Sequence, residues 1–185
     1  MKSFALVRLG LLTLAGIFVG GIIHVAVVLG VPAQVPDLAY ERIGRFGADE
    51  GFVRLPPVAA GSETLAMLDS AMSHAACRYQ LETGPIRLEA NIPAPFWSFA
   101  LFNRRGETIY SFNDRTSGTG RLTMLVLTSD QLSRLREQPP ENLEDMIVIE
   151  TEADEGFALL RAFVPDSLRR EAIETSLDKA VCEKL

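Results

Sequence analysis

The sequence predicts an α+β protein: a single N-terminal transmembrane helix, then one β-rich domain. We expect mainly antiparallel strands in a sandwich or jelly-roll-like arrangement with two or three flanking helices. Three observations favour this class. The run Leu9–Val31 contains no Asp, Glu, Lys or Arg. Later segments alternate apolar and polar residues with the period of a half-buried strand, and capped helical stretches stand between or after them.

The apolar run Leu9–Val31 is long enough to cross a bilayer. A helix rises about 1.5 Å per residue, so roughly 20 apolar residues span a hydrocarbon core about 30 Å thick. Pro32 and Pro36 are expected to end the helix. A cleaved signal peptide is the rival interpretation, but its apolar region usually has about 7–15 residues and ends in an A-x-A-like site. We therefore interpret the run as an uncleaved anchor.

Charges beside the run predict its orientation. Lys2 and Arg8 precede it directly, whereas the basic residues that follow are farther away and diluted by acidic ones. The positive-inside rule then keeps the N-terminus in the cytoplasm. The predicted organisation is a cytoplasmic tail (1–8), a transmembrane helix (9–31), a stalk (32–61) and an exported α+β domain (62–185). Apolar residues of the stalk are expected to dock onto the domain or the membrane surface.

Two features lie inside the span. Gly16 and Gly20 form a G-x-x-x-G pair, which lets two helix backbones approach closely. It predicts a helix–helix contact, in a homodimer or with a membrane-protein partner. His24 is the only ionisable side chain in the run. We interpret it as a neutral imidazole near the outer interface, with a proton-relay or ligand role as the alternative.

The composition of the exported part limits which partners it can bind. After Asp37 there are 16 basic and 23 acidic side chains, a formal charge of −7. An acidic domain without a basic cluster is a poor binder of nucleic acid, so we expect no such partner. Cys77 and Cys182 lie on the exported side, where a disulfide is permitted. We predict that bridge, tying the last helix to the centre of the domain, with two buried free thiols as the alternative.

Helices of the domain are predicted from caps and periodicity. Ser62 can cap a first helix that ends near Cys77, because apolar residues follow it at helical spacing. Thr128–Gln131 has the spacing of a capping box and begins a short helix. Pro165–Asp166 caps a final helix whose apolar side extends to Val181.

Strands are predicted where alternating or apolar runs lie between turn residues. They are Arg78–Thr83, Ile86–Asn91, Trp97–Asn103, Thr108–Phe112, Leu122–Leu127, Met146–Glu150 and Phe157–Val164. The apolar run Trp97–Asn103 is typical of a central strand covered on both faces. Arg104–Glu107 predicts a hairpin turn, and Asp154–Gly156 predicts the turn that pairs the last two strands.

No catalytic constellation stands out. His74 is the only histidine of the exported part, and we interpret it as a surface or helix-end residue. There is no G-x-S-x-G, no Gly-rich phosphate loop and no His/Cys spacing typical of a metal site. The carboxylates of Glu150, Glu152, Asp154 and Glu155 fit a solvated hairpin tip, with a calcium site as the alternative. We therefore assign no catalytic residue, metal or cofactor.

The best ligand-binding candidates are polar residues of one loop and its flanking strands. They are Asn103, Arg104, Tyr110, Asn113, Asp114, Arg115, Thr116 and Ser117. Arg115 could hold an anionic group through two parallel hydrogen bonds, with Asp114 fixing its orientation. The alternative is a loop held by its own hydrogen bonds.

Four stretches resemble a widespread bacterial family, the domain of unknown function family 1254. They are Gly84–Leu88, the aromatic-rich Phe96–Phe102, the loop Asp114–Gly118, and Phe157–Asp166. The resemblance covers roughly Cys77–Leu177 and implies a β-rich sandwich in the bacterial envelope, without implying catalytic residues. The chain is shorter than typical members and carries an apolar helix in front. We expect a compact, membrane-anchored relative.

These observations together predict an uncharacterised single-pass protein of the bacterial inner membrane with a periplasmic β-rich domain. The lipid bilayer is one expected partner, and the domain is expected to bind a partner protein or a small ligand without catalysis. The alternative is an envelope enzyme that acts on an acidic or glycan substrate through the loop Asn113–Gly118. That alternative predicts a cavity where Asp114, Arg115 and another carboxylate converge.

Overall fold

A computed structural model describes residues 2–34, 38–47, 49–58, 61, 65, 68–117, 120–137 and 143–185. It contains two units, an N-terminal helix and a domain formed by the described residues from 38 onward. The helices are α1 (Lys2–Gln34), α2 (Leu38–Ile43), α3 (Asp114–Ser117), α4 (Ser129–Glu137) and α5 (Ser167–Asp178), with a 3-10 turn at Leu143–Asp145. The strands are β1 (Val53–Arg54), β2 (Met72–Gln80), β3 (Ile86–Asn91), β4 (Trp97–Asn103), β5 (Thr108–Asn113), β6 (Arg121–Leu127), β7 (Ile147–Glu150), β8 (Glu155–Phe163) and β9 (Val181–Lys184).

The apolar run forms one helix. Within α1, Phe4–Gly30 has a mean hydropathy of 2.4, and its length and composition suit a membrane span or a signal sequence. A helix satisfies its backbone hydrogen bonds internally, which a hydrocarbon environment requires. The expectation that Pro32 ends the helix is wrong, because α1 continues to Gln34. A proline so close to the helix end removes only one backbone hydrogen bond.

Two sheets form the domain, as predicted. The five-stranded sheet has the order β1-β2-β8-β4-β5 and the four-stranded sheet the order β7-β6-β3-β9. Among the described pairs, β6–β7 is parallel and the others are antiparallel. Alternate side chains of both sheets share one buried cluster, because successive residues of a strand point to opposite faces. The prediction of a mainly antiparallel α+β sandwich is confirmed.

A disulfide joins the two sheets. Cys77 lies in β2 of the five-stranded sheet and Cys182 in β9 of the four-stranded sheet, with Cα atoms 6.5 Å apart. The expectation that the bridge holds the last helix is wrong. The helix α5 ends at Asp178, and the following residues pair with β3 as a strand. The helix starts as predicted, since Asp166 accepts a hydrogen bond from the Arg169 amide at 3.0 Å.

The described part of the segment interpreted as a stalk packs against the five-stranded sheet. β1 pairs with β2, and Tyr40, Ile43 and Leu55 are buried in a second apolar cluster on the outer face of that sheet. Two guanidinium groups lie over the Tyr40 ring, with Cζ atoms 4.7 Å (Arg78) and 5.2 Å (Arg104) from its centroid. Such cation–π contacts favour this docking, so docking on the domain is the alternative that the structure shows.

The first predicted helix of the domain is wrong where the structure describes it. Met72–Gln80 forms β2, and both of its faces are buried. Ala75 and Cys77 face the core between the sheets, while Ala76 faces the outer cluster. A strand buried on both sides loses the polar alternation by which strands are identified, and its small residues then resemble a helix. The predicted start at residues 62–64 lies outside the described residues.

The last predicted strand pair is also wrong. β7 pairs in parallel with β6, whereas β8 lies in the middle of the other sheet. Between them the chain crosses from one sheet to the other, held by a hydrogen bond from the Thr151 amide to the Leu127 carbonyl at 3.0 Å. By contrast, the predicted capping box of α4 is present, since Thr128 and Gln131 exchange hydrogen bonds.

Candidate functional site

The outer face of the five-stranded sheet carries a cleft with a volume of about 820 Å³. We call it the outer-sheet cleft. Its lining residues come from α2, the segment before β2, the β4–β5 hairpin and strands β2 and β8: Ala39, Arg42, Ile43, Leu65, Leu68, Asp69, Met72, His74, Phe102, Gly106, Phe157, Leu159 and Arg161. Pockets of about 300–1,000 Å³ with a mostly apolar lining are typical of small-molecule sites.

Two polar side chains lie side by side in this cleft. His74 on β2 and Arg161 on β8 are register partners of an antiparallel pair, so their side chains project from the same face. His74 is only 2% exposed. Neither its Nε2 nor the Arg161 Nε, both buried, has a hydrogen-bond partner among the described residues. Because a buried polar group without a partner costs roughly 1–3 kcal/mol, the pair needs an explanation.

Burial and the charge of Arg161 both favour the neutral form of the His74 imidazole. Burial lowers the pKa of His74 below its ordinary value, the positive charge of Arg161 lowers it further, and Asp69 opposes both. One oxygen of Asp69 already accepts a hydrogen bond from the Ala71 amide at 2.8 Å. Arg42 and Arg161 form no ion pair within the described part of the chain. The cleft is therefore locally positive in an acidic domain.

Most of the remaining cleft lining is apolar. Phe102 and Phe157 stack with ring centroids 4.8 Å apart and an interplanar angle of 17°. Leu159 and Ile43 belong to the same outer cluster, and Leu65 lies beside them. This arrangement can hold an apolar body against the stacked rings and present a polar group to His74 and Arg161.

Protonation of His74 is expected to destabilise the domain at acidic pH. The lowered pKa means that the unfolded chain takes up this proton first, near pH 6.5, and the folded domain only at lower pH. The free energy of unfolding should fall as the pH drops below about 6.5 and level off below the folded-state pKa. Denaturation curves followed by the fluorescence of the single tryptophan, Trp97, should show this slope, and His74→Gln should reduce it. An equal slope in the variant would assign it to other groups.

The predicted binding loop is held by its own hydrogen bonds. Asn113 Oδ1 accepts from the amides of Arg115 and Thr116 at 3.1 and 3.2 Å, and from the Thr116 hydroxyl. Ser117 Oγ donates to the Asp114 carbonyl at 3.0 Å. These contacts match the structural alternative for the loop, and binding by its residues stays a prediction.

The other predicted candidates lie in the β4–β5 hairpin. Asn103 bonds to Glu107 through both its amide nitrogen and its oxygen. Arg104 pairs with Glu41 at 3.1 Å and Glu155 at 2.9 Å. The ring of Tyr110 packs on Phe112, 5.9 Å away.

One predicted residue, Ser117, does line a cavity. It has a volume of about 490 Å³ and is also lined by Asn91, Arg121, Thr123, Asp145 and Ile147. Asp114 and Arg115 are not among its described lining residues, and Arg115 is exposed. The convergence that an enzymatic loop would need is therefore not seen among the residues described. Over the same residues there is no group of three or more His, Cys, Asp or Glu that could hold a metal ion.

Sequence reasoning missed His74 and Arg161 as a pair. The helix predicted over Ser62–Cys77 placed His74 at a helix end, whereas it lies inside a buried strand. If Met72 is taken as the start of a strand, the alternation of its side chains places His74 on the same face as Ala76 and opposite Cys77. Pairing with Arg161 could not be predicted, because β2 and β8 are far apart in the sequence.

Taken together, the fold defines a disulfide-linked β-sandwich domain that follows an apolar signal or anchor helix, an arrangement typical of extracytoplasmic proteins. The chain belongs to the family described as "Protein of unknown function (DUF1254)", whose family model matches residues 54–183. The resemblance noted in the sequence is thereby confirmed.

A solved structure shares the fold at low identity. The VPA0106 protein from Vibrio parahaemolyticus matches with a TM-score of 0.60 and 13% identity, over 80% of this chain and 35% of that one. An uncharacterised protein from Burkholderia cenocepacia matches with a TM-score of 0.45 and 11% identity, over 80% of this chain and 41% of that one. This chain thus spans about a third of the length of the VPA0106 protein. No curated protein matches the sequence.

Proposed function

We propose that the chain is a single-pass protein of the bacterial inner membrane whose periplasmic domain binds a small molecule in the outer-sheet cleft. The observation that carries the proposal is the pair of unpartnered buried groups, His74 Nε2 and Arg161 Nε, in a mostly apolar cleft of about 820 Å³. Native proteins seldom leave buried polar atoms unsatisfied, and a ligand would supply the missing partner.

Three features support the location. The apolar window Phe4–Gly30 suits a membrane span, Lys2 and Arg8 favour a cytoplasmic N-terminus, and the disulfide favours an oxidising compartment. The G-x-x-x-G pair Gly16/Gly20 lies on one face of α1 and stays a predicted helix–helix contact. We favour a small ligand over a protein partner because the candidate surface is concave.

Methyl NMR would test cleft binding directly. The full chain, labelled at its methionine methyl groups and placed in phosphatidylcholine nanodiscs, is titrated with octanoate as the probe. Met72 lines the cleft, so its methyl signal should shift saturably, whereas Met124, buried in the other cluster, should stay unchanged. Leu159→Trp, which places a ring in the cleft, should abolish the shift, and Leu135→Trp on α4 should not. A Met72 signal that stays unshifted with octanoate, octan-1-ol and octylamine alike would contradict the proposal.

A further inference from the structure

We infer that the outer-sheet cleft selects anionic amphiphiles: molecules with one anionic head, held by Arg161 and His74, and an apolar body on the stacked aromatic rings. This inference rests on the proposed cleft binding and names the chemical class of the ligand. It depends on three observations: the unpartnered donors, the distribution of charge and the shape of the apolar wall.

The polar end of the cleft calls for a hydrogen-bond acceptor. An arginine Nε–H can only donate, and the Arg161 Nε is buried without a described partner. The neighbouring imidazole of His74 can donate from Nε2 in the appropriate tautomer, and both ring nitrogens donate once it is protonated. Hydrogen bonds from such donors to an anionic oxygen are roughly twice as strong as neutral ones. A carboxylate or another anionic oxygen group is therefore the head that satisfies both atoms.

The charge distribution disfavours the opposite head group. Arg42 and Arg161 both line the cleft, and Asp69 is the carboxylate among its described lining residues. Asp69 is partly committed to the Ala71 amide. A cationic head would therefore meet two positive side chains and one partly occupied carboxylate. His74, whose pKa is lowered by burial and by Arg161, would gain a stabilising partner for its charged form if an anion entered.

The apolar end accepts a chain or ring rather than a second polar group. The Phe102–Phe157 stack and the side chains of Ile43, Leu65 and Leu159 belong to the outer cluster and line the cleft. Burying apolar surface there is favourable by about 25 cal/mol per Å². A ligand with a single charged end and an alkyl body therefore complements both ends of the cleft.

Selectivity among matched probes tests the inference. The methionine-labelled full chain in phosphatidylcholine nanodiscs is titrated with octanoate, octan-1-ol and octylamine, and the free concentration that half-saturates the Met72 shift is measured. We expect octanoate to half-saturate at a concentration at least about tenfold lower than the other two, as expected for a charge-assisted hydrogen bond. The chain has two histidines, and octanoate should move the imidazole 15N signal of His74 but not that of His24.

Variants separate the head-group contact from the apolar contact. Arg161→Gln should weaken octanoate binding about tenfold or more while changing the response to octan-1-ol less than about twofold. Arg134→Gln, on the exposed side of α4, is the matched control and should change neither.

Each result has a distinct meaning. Equal responses to octanoate and octan-1-ol would contradict selection for an anionic head group but would still support cleft binding. A Met72 signal that responds to none of the probes would contradict the proposed function itself.

A second arm of the experiment replaces part of the phosphatidylcholine with phosphatidylglycerol and omits octanoate. Shifts of Met72 and His74 in that arm would support the inference with a membrane lipid as the source of the anionic head. Shifts in the octanoate arm alone would support it with a free amphiphile as the source.

Discussion

Replacing Cys77 and Cys182 together with alanine is expected to lower the free energy of unfolding by about 3–5 kcal/mol. The bridge spans a sequence separation of 105 residues, so its loss returns a large amount of conformational freedom to the unfolded chain. It also links β2, inside one sheet, to β9, at the edge of the other. Without it, β9 would be held by its pairing with β3, by packing, and by the ion pairs of Glu183 with Arg87 and of Lys184 with Glu50.

The measurement is chemical denaturation of the full chain in detergent micelles, followed by the fluorescence of Trp97, which is buried between the sheets. Wild-type protein treated with reductant should approach the stability of the double variant, and the double variant should not respond to reductant. Single alanine variants are avoided because each leaves a free thiol. A loss below about 1 kcal/mol would show that the bridge contributes little beyond the packing of the sheets.

Much of the fold could be predicted from local sequence. The polar and apolar residues of Ile86–Asn91 alternate because one face of β3 meets the core and the other is partly exposed. The cap at Asp166 was predictable because it depends on residues within one helical turn. Interactions of this kind are encoded over a few positions, so sequence patterns are sufficient.

Elements whose surroundings come from distant parts of the chain were not predictable in the same way. β2 has two buried faces, one against the other sheet and one beneath α2, and neither leaves a local pattern. β7 joins β6 in parallel through the crossover connection that contains α4, and the chain changes sheets only after Glu150, which no turn signal records. The candidate cleft has the same origin, since His74 and Arg161 meet only through strand pairing.

Placing a methyl group on Gly156 is expected to cost about 3 kcal/mol or more of stability, from overpacking and a disturbed buried hydrogen bond. Gly156 is the register partner of Tyr79 on one side and Asn103 on the other. A Cβ there would lie 2.7 Å from Tyr79 Cζ and closer still to the Tyr79 hydroxyl and the Phe102 carbonyl oxygen. The phenol is fully buried and donates to that carbonyl at 3.2 Å. Neither the ring nor the strand backbone can move aside cheaply.

The same denaturation assay would measure Gly156→Ala against Gly51→Ala, whose added Cβ meets nothing within 4 Å and whose effect should stay within about 0.5 kcal/mol. Tyr79→Phe removes the hydroxyl alone and should cost about 1 kcal/mol. The double variant Gly156→Ala/Tyr79→Phe should lose less stability than the sum of the losses in the two single variants. The reason is that the alanine has already displaced the hydroxyl that phenylalanine lacks. Burial raises the pKa of Tyr79, so its hydroxyl stays a donor throughout the neutral range and the coupling should not depend on pH there. Strict additivity would mean that the alanine is accommodated without displacing the hydrogen bond from Tyr79 to the Phe102 carbonyl.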